Sequence, residues 1–411
     1  MADDALPTLL QLTPLDPAYR ADPHAVLKDV RNRCPVYQDS LSKSFILTRY
    51  DDIRGLVTDL TLWRDPLKAE EAARQMGRFA TPPDPNLPRS ETTSILTLDD
   101  PDHARIRGPL SRALYARVAR ARPQVEALID AALDGLEGQT EFDLMATFCV
   151  PIPIDVIASL LGVDHARLVE FRDWSEGLIQ GLNPFRTAEQ TAHMERANEG
   201  LSDYFTRTLA ERRRKPQDDL ITDMTQLQAE GAPLSDTELR INLTALLVGG
   251  NLTTTDLIGN GARLLLLHPE ERAKLMANPG LAGALVEEVL RFEPPVDSTG
   301  RVASRDLEVQ GCPIHQTQSL SFSLRSANRD PAAFDAPDRF DISRKKVPHM
   351  SFGGGAHICI GAPLARLEAQ VALPRLFARF PTLALNEAET GPDWRKLPFF
   401  RGLERLDVRV P

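Results

Sequence analysis

The chain has 411 residues and a formal net charge of −10, long enough for a large core and, on length alone, for two or three domains. That acidic balance argues against a nucleic-acid partner. Its four cysteines, Cys34, Cys149, Cys312 and Cys359, lie far apart with no paired spacing, which speaks against a disulfide framework and fits a reducing cytosol.

Met1 to Arg20 contains Asp3, Asp4 and Asp16 and only short apolar runs, so it reads as neither a signal peptide nor a membrane anchor. Strand-like segments follow at Val36-Tyr37 and Phe45 to Thr48. Leu67 to Ser94 carries four prolines and predicts a long irregular excursion, a feature that is usually functional inside a compact domain. Helical periodicity dominates from about Asp100 to Phe292. Further strand-like pieces stand at Leu307 to Val309 and Leu406 to Val410. The pattern is mainly α with a small β region, and no linker or repeat marks a boundary.

From His103 to Arg122 the chain has six arginines and no carboxylate, which by composition reads as a solvated basic helix. Gly108-Pro109 predicts a kink or break in it. A longer helix starts at Ser235, where Ser235 and Glu238 form a capping box, and runs to Leu267, before His268-Pro269. At 1.5 Å per residue it spans roughly 50 Å. Its middle, Leu246 to Asp256, holds Gly249, Gly250 and three threonines, poor helix formers that predict a bend or a local opening. Glu288 and Arg291 are three apart on the helix Leu281 to Phe292, a spacing worth only a few tenths of a kcal/mol as a solvated ion pair.

The run Phe352 to Gly361 sets Cys359 at the end of a glycine-rich turn, with a helix-like stretch from Ala362 to Phe377 behind it. Free N–H groups and the dipole at a helix start favour a thiolate, and a lone thiolate suits a haem iron. The residues alone leave two other readings open. One is a buried free cysteine behind a glycine turn; the other is a phosphate-binding loop.

Phe352, Gly355, Cys359 and Gly361 match F-x-x-G-x-x-x-C-x-G, so the run resembles the haem-binding signature of cytochrome P-450. Gly249, Gly250 and Thr253 are similarly placed to the family's A-G-x-(D/E)-T-(T/S), with Leu252 standing where the acid is usual. The segment Ala327 to Asp341 resembles the family's meander. The resemblance runs from about Pro14 to the C-terminus. It implies one triangular, mainly α domain over residues 1–411, overriding the length-based estimate, with haem b (iron protoporphyrin IX) on Cys359.

It further implies a triad of Glu288, Arg291 and Arg339 behind the cysteine loop. Phe352 and Gly353 would border the haem, and His103, Arg107, Arg301 and His357 would hold its propionates. Thr253 would handle protons; independently of the resemblance, Asp256 lies four residues after Leu252 on the same helix face, one turn along, and is the expected assistant. Leu96, Ala245, Leu247, Val248, Val296 and Phe400 would contact substrate.

The implied activity is insertion of one oxygen atom of O2 into a small to medium hydrophobic molecule. Electrons would come from a ferredoxin and its ferredoxin reductase, docking near the His103 to Arg122 helix. The setting implied is cytoplasmic, with no membrane anchor and no nucleic acid. Leu252 keeps open a haem-thiolate peroxygenase or an atypical oxidation or rearrangement. A non-enzymatic haem sensor or carrier is the reading from another class, disfavoured by Thr253.

Overall fold

The computed structural model describes residues 5–76, 84–183, 186–386 and 391–411. It is 55% helical, which bears out the mainly α expectation. Among the described residues no helix is long and apolar enough to cross a membrane. The chain divides into two compact units.

The first unit comprises Met1–Arg78, Gly259–Cys359 and Glu387–Leu406. Its four-stranded sheet runs in the order Val36–Gln38, Phe45–Leu47, Ser319–Ser323 and Ser298–Val302, with only the middle pairing parallel. Leu47 and Phe322 are fully buried at its centre and pack with Ile53 and Val57 of the Tyr50–Val57 helix. Phe45 to Thr48 was expected as a strand, and its three buried residues make it an interior one. Leu307–Val309 pairs with Cys312–Ile314 across Gln310 and Gly311. Both turn residues have positive φ, 52° and 78°, as a two-residue hairpin turn requires.

The second unit comprises Phe79–Ile258, Ile360–Asn386 and Asp407–Pro411. It holds the helices Asp102–Val118, Arg122–Asp134, Pro151–Leu161, Leu168–Gln180, Ala188–Arg214, Leu220–Ala229 and Ala362–Arg379. A small sheet places Asp407–Arg409 between Glu141–Asp143 and Ala384–Leu385. Glu141–Asp143 escaped the sequence reading because three residues inside a helical run carry no usable period.

The long central helix, Asp236–Leu267, begins as expected. Glu238 N donates to Ser235 Oγ at 3.2 Å and Ser235 N to Glu238 Oε2 at 2.8 Å, a cap worth about 1 kcal/mol.

Two expectations need correction. The helix Asp102–Val118 runs unbroken through a buried Pro109. The residue before it is Gly108, and without a Cβ the usual clash with the proline Cδ is relieved. The stretch Leu67 to Ser94 is not wholly irregular, since Glu71–Met76 is helical and Pro66–Lys68 and Arg89–Glu91 are 3-10 turns. Residues 77–83 of it lie outside the described residues.

Candidate active site

Cys359 ends the glycine-rich turn with its side chain exposed, and its N–H donates to Phe352 O at 2.9 Å. Gly353 and Gly355 take φ of 68° and 64°, a region glycine enters without a Cβ penalty. A Cβ on Gly355 would come within 2.8 Å of Val57 O, and one on Gly354 within 3.0 Å of Val57 Cγ1. The turn therefore lies directly on the end of the Tyr50–Val57 helix. Behind the sulfur, Ala362–Arg379 starts with a proline in its first turn, suited to that position.

Asn328 fixes the entrance to this loop. Its Oδ1 accepts from Met350 N at 2.7 Å and its Nδ2 donates to Ser351 Oγ at 2.8 Å. Ser351 Oγ in turn donates to Leu290 O at 2.6 Å. Arg291, wholly buried, donates through Nε and Nη2 to the Glu288 carboxylate at 2.8 and 2.7 Å and through Nη1 to Asn328 O. A spacing that is cheap on a surface here closes a buried, bidentate pair.

The third member of the triad is Arg344, whose Nε donates to Glu288 Oε1 at 3.1 Å. Arg339 was expected there, but its side chain is 65% exposed and leans toward Asp341. Only its carbonyl oxygen enters the cluster, accepting from Arg291 Nη2. Sequence offered two arginines five apart, and the turn of the meander decided between them.

Of the four expected propionate partners, Arg301 and His357 belong to the first unit. Arg301 is buried, donating to Val57 O at 3.1 Å and Gly354 O at 3.4 Å, so its guanidinium lies against the cysteine loop. His357 is half-buried in the loop's 3-10 turn, and Phe352 is half-buried with its ring 5.7 Å from that of His349. His103 and Arg107 lie in the second unit, on one helix. His103 is buried, with Nδ1 3.6 Å from Asp100. Burial and the neighbouring Arg107 hold its imidazole below the usual range.

The middle of the central helix is α-helical at every residue, so no break accompanies its glycines. Thr253 Oγ1 donates to Gly249 O at 3.0 Å, which keeps the hydroxyl on its own helix. Gly250 faces Ile157, and a Cβ there would sit 3.2 Å from its Cγ1.

Ala245, Val248, Gly249, Leu252 and Thr253 stay open to at least some extent, and their spacings of three and four place them on one face. Leu247 is fully buried and off that face, so it packs the core and does not line an accessible surface. Leu252 takes its place, a residue that i, i+3, i+4 counting from Ala245 would have found. Asp256 is fully buried. Leu96 is exposed; Val296 and Phe400 are half-buried and paired with each other by an antiparallel bridge.

The arginine-rich stretch is not one helix, since it ends one at Val118 and opens the next at Arg122, and it is not an open basic face. Arg105 is bound to Asp102 and Glu238, Arg117 to Asp218 and Asp223, Arg120 to Asp218, and Arg122 to Glu126. All of these partners sit outside the arginine-rich stretch, between positions 102 and 238, so its composition overstated its charge. Arg112 is exposed.

The donor set of the cysteine loop fits a haem: an exposed soft sulfur, a glycine backbone at Gly353 whose nearest neighbour beyond the adjoining residues is His357 O at 3.9 Å from a Cβ position, and a buried guanidinium against the loop.

Residues 280–396 match the family model for cytochrome P450. Cytochrome P450 107B1 of Saccharopolyspora erythraea is 36% identical over 368 residues, covering 89% of each chain. The 6-deoxyerythronolide B hydroxylase of the same organism is 34% identical and covers 96% of this chain and 97% of its own. The structure of the polyketide synthase cytochrome P450 PksS of Bacillus subtilis superposes with a TM-score of 0.86 at 32% identity, covering 97% of this chain and 99% of its own. With identities above 30% along nearly the whole length, the chain belongs to the cytochrome P450 family of haem-thiolate monooxygenases.

Proposed function

We propose that residues 1–411 form one haem-thiolate catalytic domain that inserts an oxygen atom of O2 into a small to medium hydrophobic molecule. Haem b is carried on Cys359, and when bound it supplies the activation of O2. The observation that carries the reading is the exposed sulfur of Cys359, set at a glycine turn with the buried Arg301 guanidinium against the same loop.

The residues divide the work. Arg301 and His357, with His103 and Arg107, balance the two propionate charges. Glu288, Arg291, Arg344 and Asn328 hold the loop in register. Ala245, Val248, Leu252, Leu96, Val296 and Phe400 bind and orient the substrate and exclude water. Their mostly apolar character selects for hydrophobic surface while discriminating weakly among shapes.

Thr253 moves protons, with Asp256 one turn further on; Leu252 has no proton to exchange. Electrons come from a ferredoxin served by a ferredoxin reductase in the cytoplasm, and the exposed Arg112 is the docking cation.

The test is spectroscopic. The reduced, carbon-monoxide-bound holoprotein should give the thiolate-type haem band, and Cys359→Ser should lose it. A ligand screen read by high-spin shifts in the haem spectrum then finds the substrate class. Leu252 also favours a second reading, a peroxygenase. Turnover with reduced ferredoxin and O2 against hydrogen peroxide, side by side, decides between them, and a peroxide-only result would replace the first reading.

A further inference from the structure

Phe399 has φ of 68°, a left-handed conformation that is costly for a bulky residue and persists only where its surroundings impose it. The surroundings here are a buried ion cluster. Arg325, fully buried, donates through Nε to Asp297 Oδ1 at 2.5 Å, through Nη1 to Glu293 Oε1 and through Nη2 to Pro294 O at 2.6 Å. Arg401, only 3% exposed at its side chain, donates through Nε to the same Glu293 oxygen at 3.0 Å. Tyr19 OH donates to Asp297 Oδ2 at 3.2 Å.

The backbone bonds follow the charges. Asp297 N donates to Phe399 O and Arg401 N to Pro295 O, both at 2.9 Å. Asn260 Nδ2 reaches Glu293 O at 3.2 Å and Arg401 O at 3.1 Å, joining the two segments once more. Val296 and Phe400, the bridged pair, thus have clamped neighbours on both sides. A buried ion cluster is a weak source of stability but a strong source of register, because any slip leaves a charge unpaired.

We propose that Arg325, Asp297, Glu293 and Arg401 form a clamp that fixes the Val296–Phe400 pair and thereby sets which bulky ligands the site accepts. These are positioning residues, and the inference rests on Val296 and Phe400 lining the substrate site. Nothing in the local pattern of Leu324 to Asn328 calls for a buried arginine at 325, and ligand positioning gives it a reason.

Azole ligands of graded size test the clamp on the holoprotein, read by the shift of the haem spectrum. Imidazole needs only access to the iron, whereas clotrimazole needs the surrounding walls. In Arg325→Gln and Asp297→Asn the ratio of clotrimazole to imidazole Kd should change about tenfold, the scale of a one-methylene misfit in an apolar pocket. Imidazole affinity and the carbon-monoxide spectrum should hold, and Arg325→Lys should recover part of the ratio.

An unchanged ratio, or an equal loss for both ligands, overturns the clamp. Val296→Phe separates the two levels. If it shifts the ratio while Arg325→Gln does not, the clamp alone is wrong; if it shifts nothing, the lining assignment is wrong and the clamp falls with it. Should Arg325→Gln fail to take up haem, the near-isosteric Asp297→Asn decides.

Discussion

Arg344 lays its guanidinium 3.1 Å from the Glu288 carboxylate, while Arg339 offers that cluster only its carbonyl oxygen. Arg344 also donates to the carbonyls of Asp335, Ala336 and Arg339, so one side chain ties the meander to the brace behind the cysteine loop. Arg344→Ala leaves a fully buried carboxylate with one cation fewer and should cost about 1–3 kcal/mol. Arg339→Ala should stay within about 0.5 kcal/mol. Urea unfolding of the two holoproteins checks the order, and equal losses would restore Arg339 to the triad.

Leu247 and Val248 are neighbours with opposite assignments. Leu247, fully buried, should lose about 2–5 kcal/mol on change to alanine and leave the ratio of azole affinities alone. Val248→Phe should do the reverse, altering that ratio with little change in stability. Thermal unfolding and azole titration of both variants would expose a wrong placement of the open face.

Thr253→Ala and Asp256→Asn address proton supply. Each should lower product formed per NADPH by about tenfold, below the usual span for a proton-transfer group because water can substitute in part. If both variants retain wild-type coupling, neither side chain lies on the route.

His24 makes a pH prediction. Burial, reinforced by Arg329 and Arg325 and opposed by Glu293, lowers its pKa to about 4. The folded state therefore stays neutral there while the unfolded chain takes up a proton below about 6.5. Stability conferred by the neutral imidazole is complete above that value and drains away as pH falls toward 4.

Glu293 extends the same trend downward. Burial raises its carboxyl, but Arg325 and Arg401 outweigh this and hold it well below the usual range. Its contribution is present above the ordinary glutamate range and lost as pH drops beneath it. Denaturant unfolding from pH 7 to 4 should show a flatter profile in His24→Gln than in wild type. Parallel profiles would mean the histidine is already protonated when folded.

Arg112 is exposed on the helix Asp102–Val118, while Arg105 and Arg117 of the same helix are bound to acids. Arg112→Glu should raise the KM for a reduced ferredoxin about three- to tenfold at low ionic strength, fading with salt. Arg120→Glu should do less, since Asp218 already offsets that charge. Identical effects would point to a diffuse field in place of one docking residue.

The sequence by itself determined what is local. The Ser235–Glu238 cap, the glycine turn before Cys359 and the Glu288–Arg291 spacing each involve residues within a few positions. Their geometry follows from backbone periods and steric limits. The strands at Phe45 and at Leu307 to Val309 are legible for the same reason.

Tertiary structure decided what depends on distant partners. Arg344 displaced Arg339, distant acids reached Arg105, Arg117 and Arg120, and packing drew Leu247 inward while Leu252 stayed open. The buried cluster of Glu293, Asp297, Arg325 and Arg401 brings together positions more than a hundred residues apart. No local period records such a meeting, because the burial that makes it strong exists only once the chain has folded.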